Sequence, residues 1–201
     1  MNTYVTSDLH FGHKNVIKYN PTYRPYKDHE EMDADMIRQW NAIVNPEDLV
    51  YILGDISFYK VEKTISILNQ LNGNKILIVG NHDQHLLKSQ EFKNCFQGVY
   101  DYKSIKWNNT KVCMMHYPIS EWHDCHHGSV MLHGHLHGNQ SGLCKYRIRD
   151  VGFDATGNIV TLLDDIVNDA LKGKIRSHGW KNPTLSQKIV AFLKKCGIIS
   201  L

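Results

Sequence analysis

The feature that most constrains this chain is a recurrence: five short apolar runs, each breaking off in a cluster of Asp, Asn, His and Gly. Thr3-Tyr4-Val5-Thr6 ends at Ser7-Asp8-Leu9-His10, and Leu49-Val50-Tyr51-Ile52-Leu53 ends at Gly54-Asp55. Ile76-Leu77-Ile78-Val79 ends at Gly80-Asn81-His82-Asp83, Val112-Cys113-Met114-Met115 at His116, and Ser129-Val130-Met131-Leu132 at His133-Gly134-His135-Leu136-His137. Short β-branched runs closed by turn-formers read as buried strands. In an open α/β sheet, ligands bind beyond the carboxyl ends of the strands. Five strand ends that each deliver Asp, Asn or His therefore predict one polar cleft.

Between the first three runs the apolar period changes to that of a helix. Met32, Met36, Ile37, Trp40, Ile43 and Val44 share one face, with Glu30, Glu31 and Asp33 in the first turn; Val61, Ile65, Leu68 and Leu71 make a second such face. Alternating strand and helix predict parallel strands. Further strands are expected at 99–107, 146–153 and 159–162. The fold class expected is α/β, two packed sheets flanked by helices. Domain limits of 1–167 for the body and 168–201 for a basic helical tail follow. Residues 164–172 and 184–196 read as helices, and the second carries an apolar face suited to docking on the body.

Thirteen residues are His, and seven of them fall between His116 and His137, a density that asks for a chemical reason. The net charge of +3 hides an asymmetry, because residues 171–201 contain Lys and Arg but no Asp or Glu. Such a tail offers a contact to nucleic acid or is simply a solvated helix. The five cysteines form no CxxC pair and read as free thiols of a cytoplasmic protein. No run of 18 apolar residues predicts a membrane span, and no signal peptide is expected.

Taken singly, Asp8-x-His10 and Gly54-Asp55 are common turns. Gly134-His135-x-His137 says more, since alternate residues of an extended segment face the same way. The whole ordered set, Asp-x-His, Gly-Asp, Gly-Asn-His-Asp, His and Gly-His-x-His, resembles the calcineurin-like metallophosphoesterase superfamily over about residues 3–163. It is most similar to small bacterial and phage members that begin Thr-Ser-Asp-x-His-Phe-Gly-His and carry His-Tyr-Pro, matched by His116-Tyr117-Pro118. The resemblance implies a calcineurin-like four-layer αββα sandwich and a phosphoesterase with two divalent metal ions. One would be held by Asp8, His10, Asp55 and His137, the other by Asp55, Asn81, His116 and His135, with Asp55 shared. Oxygen and imidazole donors without thiolate point to manganese, iron, zinc or nickel. The implied reaction is attack on phosphorus by a hydroxide bridging the metals, with Asp55, Asn81 and His82 as catalytic residues and His82 assisting the leaving oxygen. Asp83 is expected either to orient the His82 ring or to serve as a turn residue.

Around this centre His13 is expected as a substrate contact or a structural residue, and Arg24 as a phosphate contact or a surface ion-pair partner. The 123–127 loop, His-Asp-Cys-His-His, is expected to line the substrate cleft rather than to hold a third metal. Trp122 would stack a base or cover the core. His133 reads as a core histidine. Asp150 and Asp154 would support a ligand histidine or belong to a hairpin. The expected substrate is a phosphorylated small molecule or nucleotide, a phosphodiester before a monoester. The alternatives are a metal-dependent nuclease using the basic tail and, remotely, a non-catalytic scaffold of the same fold.

Overall fold

The computed structural model describes residues 1–139 and 142–177. Its strands are β1 (Thr3–Thr6), β2 (Leu49–Ile52), β3 (Asn74–Ile78), β4 (Gly98–Tyr100), β5 (Tyr102–Trp107), β6 (Thr110–Met115), β7 (Val130–His133), β8 (Ile148–Asp150) and β9 (Thr161–Leu162). The helices are α1 (Val16–Tyr19), α2 (His29–Ile43), α3 (Val61–Leu68), α4 (Gln90–Lys93), α5 (Phe153–Thr156) and α6 (Leu163–Leu171). One sheet has the order β4-β3-β2-β1-β9, the other β5-β6-β7-β8. In the first, β1 to β4 are parallel and only β9 runs against β1; in the second, β6, β7 and β8 are parallel and β5 is antiparallel. Two mixed sheets flanked by helices are the expected architecture.

The period of two along each strand sorts the apolar side chains into layers. Val50 and Ile52 face outward from the first sheet and pack with Met32, Met36 and Trp40 of α2. Tyr51 and Leu53 face the opposite way, against Val112, Met114, Val130 and Leu132 of the second sheet. That inter-sheet core is closed at one end by Leu163, Ile166, Val167 and Ala170 of α6. Cys113, Met131 and Ile148 point out of the far face of the second sheet, where Trp122 and Cys125 cover them. The longest helix, α2, starts where Asp28 accepts a hydrogen bond from the Glu31 amide at 2.9 Å while Glu31 accepts one from the Lys27 amide at 2.8 Å.

Two strand expectations change. The strand expected over 99–107 is two strands in different sheets, parted at Asp101. The one expected over 146–153 shortens to β8 and is followed, after Gly152 at its N-terminus, by α5, whose Phe153 packs into the core. The boundary expected at 167 falls within α6, in which Leu163, Ile166, Val167 and Ala170 are buried. The helix expected over 184–196, and Cys196, lie outside the described residues. Cys95, Cys113, Cys125 and Cys144 are free thiols. Among the described residues no helix is long and apolar enough to cross a membrane.

Candidate metal centre

Parallel strands end on a common edge, and the loops leaving β1, β2, β3, β6 and β7 meet there. The pairing of β1 with β2 continues past both strand ends: the Asp8 amide donates to Gly54 O, the His10 amide to Asp55 O and the Phe11 amide to Ile56 O, each at 3.0 Å. The second sheet joins the same edge through the Gly134 amide, which donates to His116 O at 3.0 Å, and through a bridge between Ser7 and Gly152. The loops approach so closely that a Cβ at Gly134 would collide with Ser7 Oγ and Asp8 Oδ2. A Cβ at Gly80 would collide with the Asp55 carboxylate.

All seven residues expected as ligands come together. Asp8 Oδ1 lies 3.8 Å from His10 Nε2 and 3.9 Å from His137 Nε2. Asn81 Oδ1 lies 2.9 Å from His116 Nε2 and 3.0 Å from His135 Nδ1. Between these two groups sits Asp55 Oδ2, 3.6 Å from His10 Nε2 and 3.6 Å from His116 Nε2. Five of the seven, Asp8, His10, Asp55, His135 and His137, have φ between 48° and 71°, the left-handed region that ordinary residues avoid. Such conformations cost about 1–3 kcal/mol each and persist where the surroundings over-determine them, characteristically at functional sites.

Hydrogen bonds aim the imidazoles. His116 Nδ1 lies 2.7 Å from Leu53 O, and a carbonyl only accepts, so Nδ1 carries a proton and Nε2 is the nitrogen turned toward Asn81 Oδ1 and Asp55 Oδ2. His137 Nδ1 donates to Asp154 Oδ2 at 2.7 Å, which leaves its Nε2 toward Asp8. A carboxylate or carbonyl behind a histidine in this way is the usual support of a metal ligand. Burial pushes the Asp55 carboxyl upward, yet the neighbouring His10 and His116 imidazoles and the His82 amide outweigh burial and hold it at about 2. Asp8 is likewise held below the ordinary carboxylate range, burial being outweighed by His10 and the other histidines.

The donor atoms fit divalent cations. Asp8 Oδ1 and both ring nitrogens of His10 are buried and have no hydrogen-bond partner, and leaving such atoms bare is costly. Asp8, His10 and His137 offer donor atoms within 4.8 Å of one another, as do Asp8, Asp55 and His116. Only carboxylate, amide oxygen and imidazole donors occur here.

His82 lies at the rim of this group. Its backbone amide donates to Asp55 Oδ1 at 2.9 Å, and its ring is half-exposed with Nε2 3.9 Å from Asp55 Oδ2. Asp83 does not orient that ring. Its buried carboxylate accepts from three backbone amides instead, Gly80 at 2.8 Å and Asp55 and Ile56 at 3.0 Å each, and so ties the loop after β2 to the loop after β3.

Arg24 is not a substrate contact. It is fully buried and grips Asp154 with Nε at 2.6 Å and Nη2 at 3.2 Å. It also donates to Asp8 O at 2.7 Å and Leu9 O at 3.0 Å. It therefore acts through Asp154 on His137 and through the backbone on Asp8. Asp150 holds the Gly138 and Gly152 amides, and His133 is a core histidine bonded at Nδ1 to Gly134 O. Trp122 covers the core. Cys125 of the 123–127 loop packs with Trp122 on the far sheet face, and the loop supplies no candidate metal group among the described residues.

Beside the His10 and His137 end of the centre opens a cleft of about 630 Å³. His13, Tyr19, Tyr23 and Asn139 contribute to its walls. Sequence reasoning missed Phe58. Its exposed ring lies 5.2 Å from the ring of His10, 4.2 Å from that of His13 and 4.7 Å from that of His82. An exposed aromatic three residues past Asp55, outside any apolar period, was the available signal.

A family model described as calcineurin-like phosphoesterase matches residues 1–197. An uncharacterised protein of Methanocaldococcus jannaschii is 36% identical over 138 residues, covering 68% of this chain and 69% of its own. The gene 66 protein of Mycobacterium phage L5 is 30% identical over 198 residues, covering 83% and 94%. Among solved structures, a protein of unknown function from Aquifex aeolicus superposes with a TM-score of 0.66 at 26% identity, covering 83% of this chain and 98% of its own.

Proposed function

Because the chain belongs to the calcineurin-like phosphoesterase family, we propose that it hydrolyses phosphate esters, diesters before monoesters, at a centre of two divalent cations held by Asp8, His10, Asp55, Asn81, His116, His135 and His137. The observation that carries this reading is the position of Asp55 Oδ2, equidistant at 3.6 Å from a histidine of each group. A shared carboxylate offsets the repulsion of two neighbouring cations. Bound there, divalent ions would lower the pKa of water and draw charge from the phosphoryl oxygens.

The chain's own residues supply the rest. The Asp55 carboxyl, held low at about 2 by His10 and His116, offers its oxygens to a cation near neutral pH without first losing a proton. The Leu53 carbonyl and Asp154 hold His116 and His137 in the tautomer that presents Nε2. His82, exposed at the rim and fixed by its backbone to Asp55, would give the leaving oxygen a proton or a hydrogen bond. Phe58 limits the freedom of that ring. The preference for diesters rests on charge: the described cleft lining contains no Lys or Arg to neutralise a dianionic monoester, and Arg24 is engaged elsewhere.

The test is hydrolysis of bis(p-nitrophenyl) phosphate and p-nitrophenyl phosphate after reconstitution with manganese, nickel or zinc, alongside metal content by elemental analysis. Two ions per chain and diester turnover are expected. Asp55→Asn should lose metal and at least about a hundredfold in rate. Wild-type turnover by that variant would sink the bridging role.

A further inference from the structure

We infer that the cleft beside His10 and His137 is a subsite for an uncharged nucleoside, with Tyr19 and Tyr23 as its specificity-determining residues. The inference rests on the proposed phosphoesterase reading, since it places the nucleoside of a phosphate ester next to the centre. His10, His137 and Asp154 form the wall nearest the metal-ligand cluster, so a group esterified to a phosphate at the centre extends directly into this space. A volume of about 630 Å³ falls in the range that encloses small organic ligands.

The chemistry of the walls selects the occupant. Tyr19 is 76% exposed and Tyr23 is 40% exposed, an uncommon solvent cost for two large rings beside one cleft. Bases stack on such rings in a way that tolerates base identity. Asn20 and Asn139 add amide donors and acceptors of the kind that pair with the edge of a base. No Lys or Arg lines the space among the described residues: Lys14 precedes α1 and Lys18 lies on it, and neither is part of the lining. A second phosphate on the substrate would find no counter-charge there. A planar, neutral ring system with hydrogen-bonding edges satisfies these walls; a polyphosphate, a lipid chain or a bare sugar does not.

Binding can be read without turnover. Adenosine titrated into the full chain by calorimetry should bind, with ribose and inorganic pyrophosphate failing to compete. Tyr19→Ala, at an exposed position that the core does not use, should weaken adenosine by about tenfold or more, whereas Tyr19→Phe, which keeps the ring, should stay within about twofold of wild type. Adenosine binding that is absent, or equal in wild type and Tyr19→Ala, or matched by ribose, overturns the subsite. Hydrolysis of bis(p-nitrophenyl) phosphate separates the two levels. Turnover without adenosine binding leaves the phosphoesterase reading standing and removes the subsite. Tyrosine-dependent adenosine binding without turnover of any ester does the reverse.

Discussion

Asp83 shows how much a single buried side chain can organise. Three backbone amides from two loops converge on its carboxylate, one of them belonging to Asp55. Removing the acceptor leaves buried donors that each cost about 1–3 kcal/mol when unpaired. Asp83→Ala should therefore lose about 3 kcal/mol or more of stability by denaturant unfolding, and metal occupancy should fall with it. An Asp83→Ala protein of wild-type stability and metal content would mean that the loops are held by other contacts. The ligand types were legible in the sequence because Asp, Asn and His at strand ends have few bland uses in that order. The roles of Asp83 and Arg24 were not. Sequence displays what a side chain is, whereas direction decides what it does: Asp83 points at backbone instead of at the neighbouring ring, and Arg24 points inward to Asp154 instead of outward to a phosphate.

Elements carry the site by their ends, and the errors of the sequence reading lie at ends as well. Hydrophobic period located β1, β2, β3, β6, β7, α2 and α3, whose apolar faces are long enough to show it. It could not separate β4 from β5, because a strand of one sheet followed at once by a strand of another leaves no gap in the apolar pattern. α2 also bears on the first loop through Asp33, which accepts from the Gly12 amide at 3.1 Å. Burial raises the Asp33 carboxyl above its ordinary range, more than the Gly12 amide and the Tyr59 hydroxyl lower it. A carboxyl raised in the folded state holds its proton more firmly there than in the unfolded chain. Its contribution is complete below the unfolded value of about 3.9 and is lost as pH rises through the folded value. Asp33→Asn keeps an acceptor for Gly12 and removes the titration. The variant's unfolding midpoint should fall less than that of wild type as pH is raised from about 3.9. Parallel pH profiles would place the titrating group elsewhere.

At the scale of the molecule, two sheets meet at one polar edge, and the site belongs to neither alone. Carboxylates and imidazoles are gathered there within 4 Å of each other, an arrangement that divalent cations should stabilise by binding the folded chain and not the unfolded one. At metal concentrations of about 100 times Kd this linkage amounts to about 2.7 kcal/mol, or about 5–10 °C in Tm for a chain of this size. Chelation followed by calorimetry should show that drop, and adding manganese or zinc back should reverse it. A Tm indifferent to chelator would argue against ions bound at this edge.

The position of β9 has a consequence for how the molecule comes into being. β1 is synthesised first but lies between β2 and β9, and β9 is contributed by residues 161–162. The β1 edge of the first sheet therefore stays unpaired until nearly the whole body has left the ribosome. Asp154, which aims His137, emerges only just before it. Pairings across so long a stretch of chain form late and slowly. The nascent protein thus exposes the bare edge of β1 for most of its synthesis, and that edge is where a chaperone, or a second unfinished copy, would first take hold.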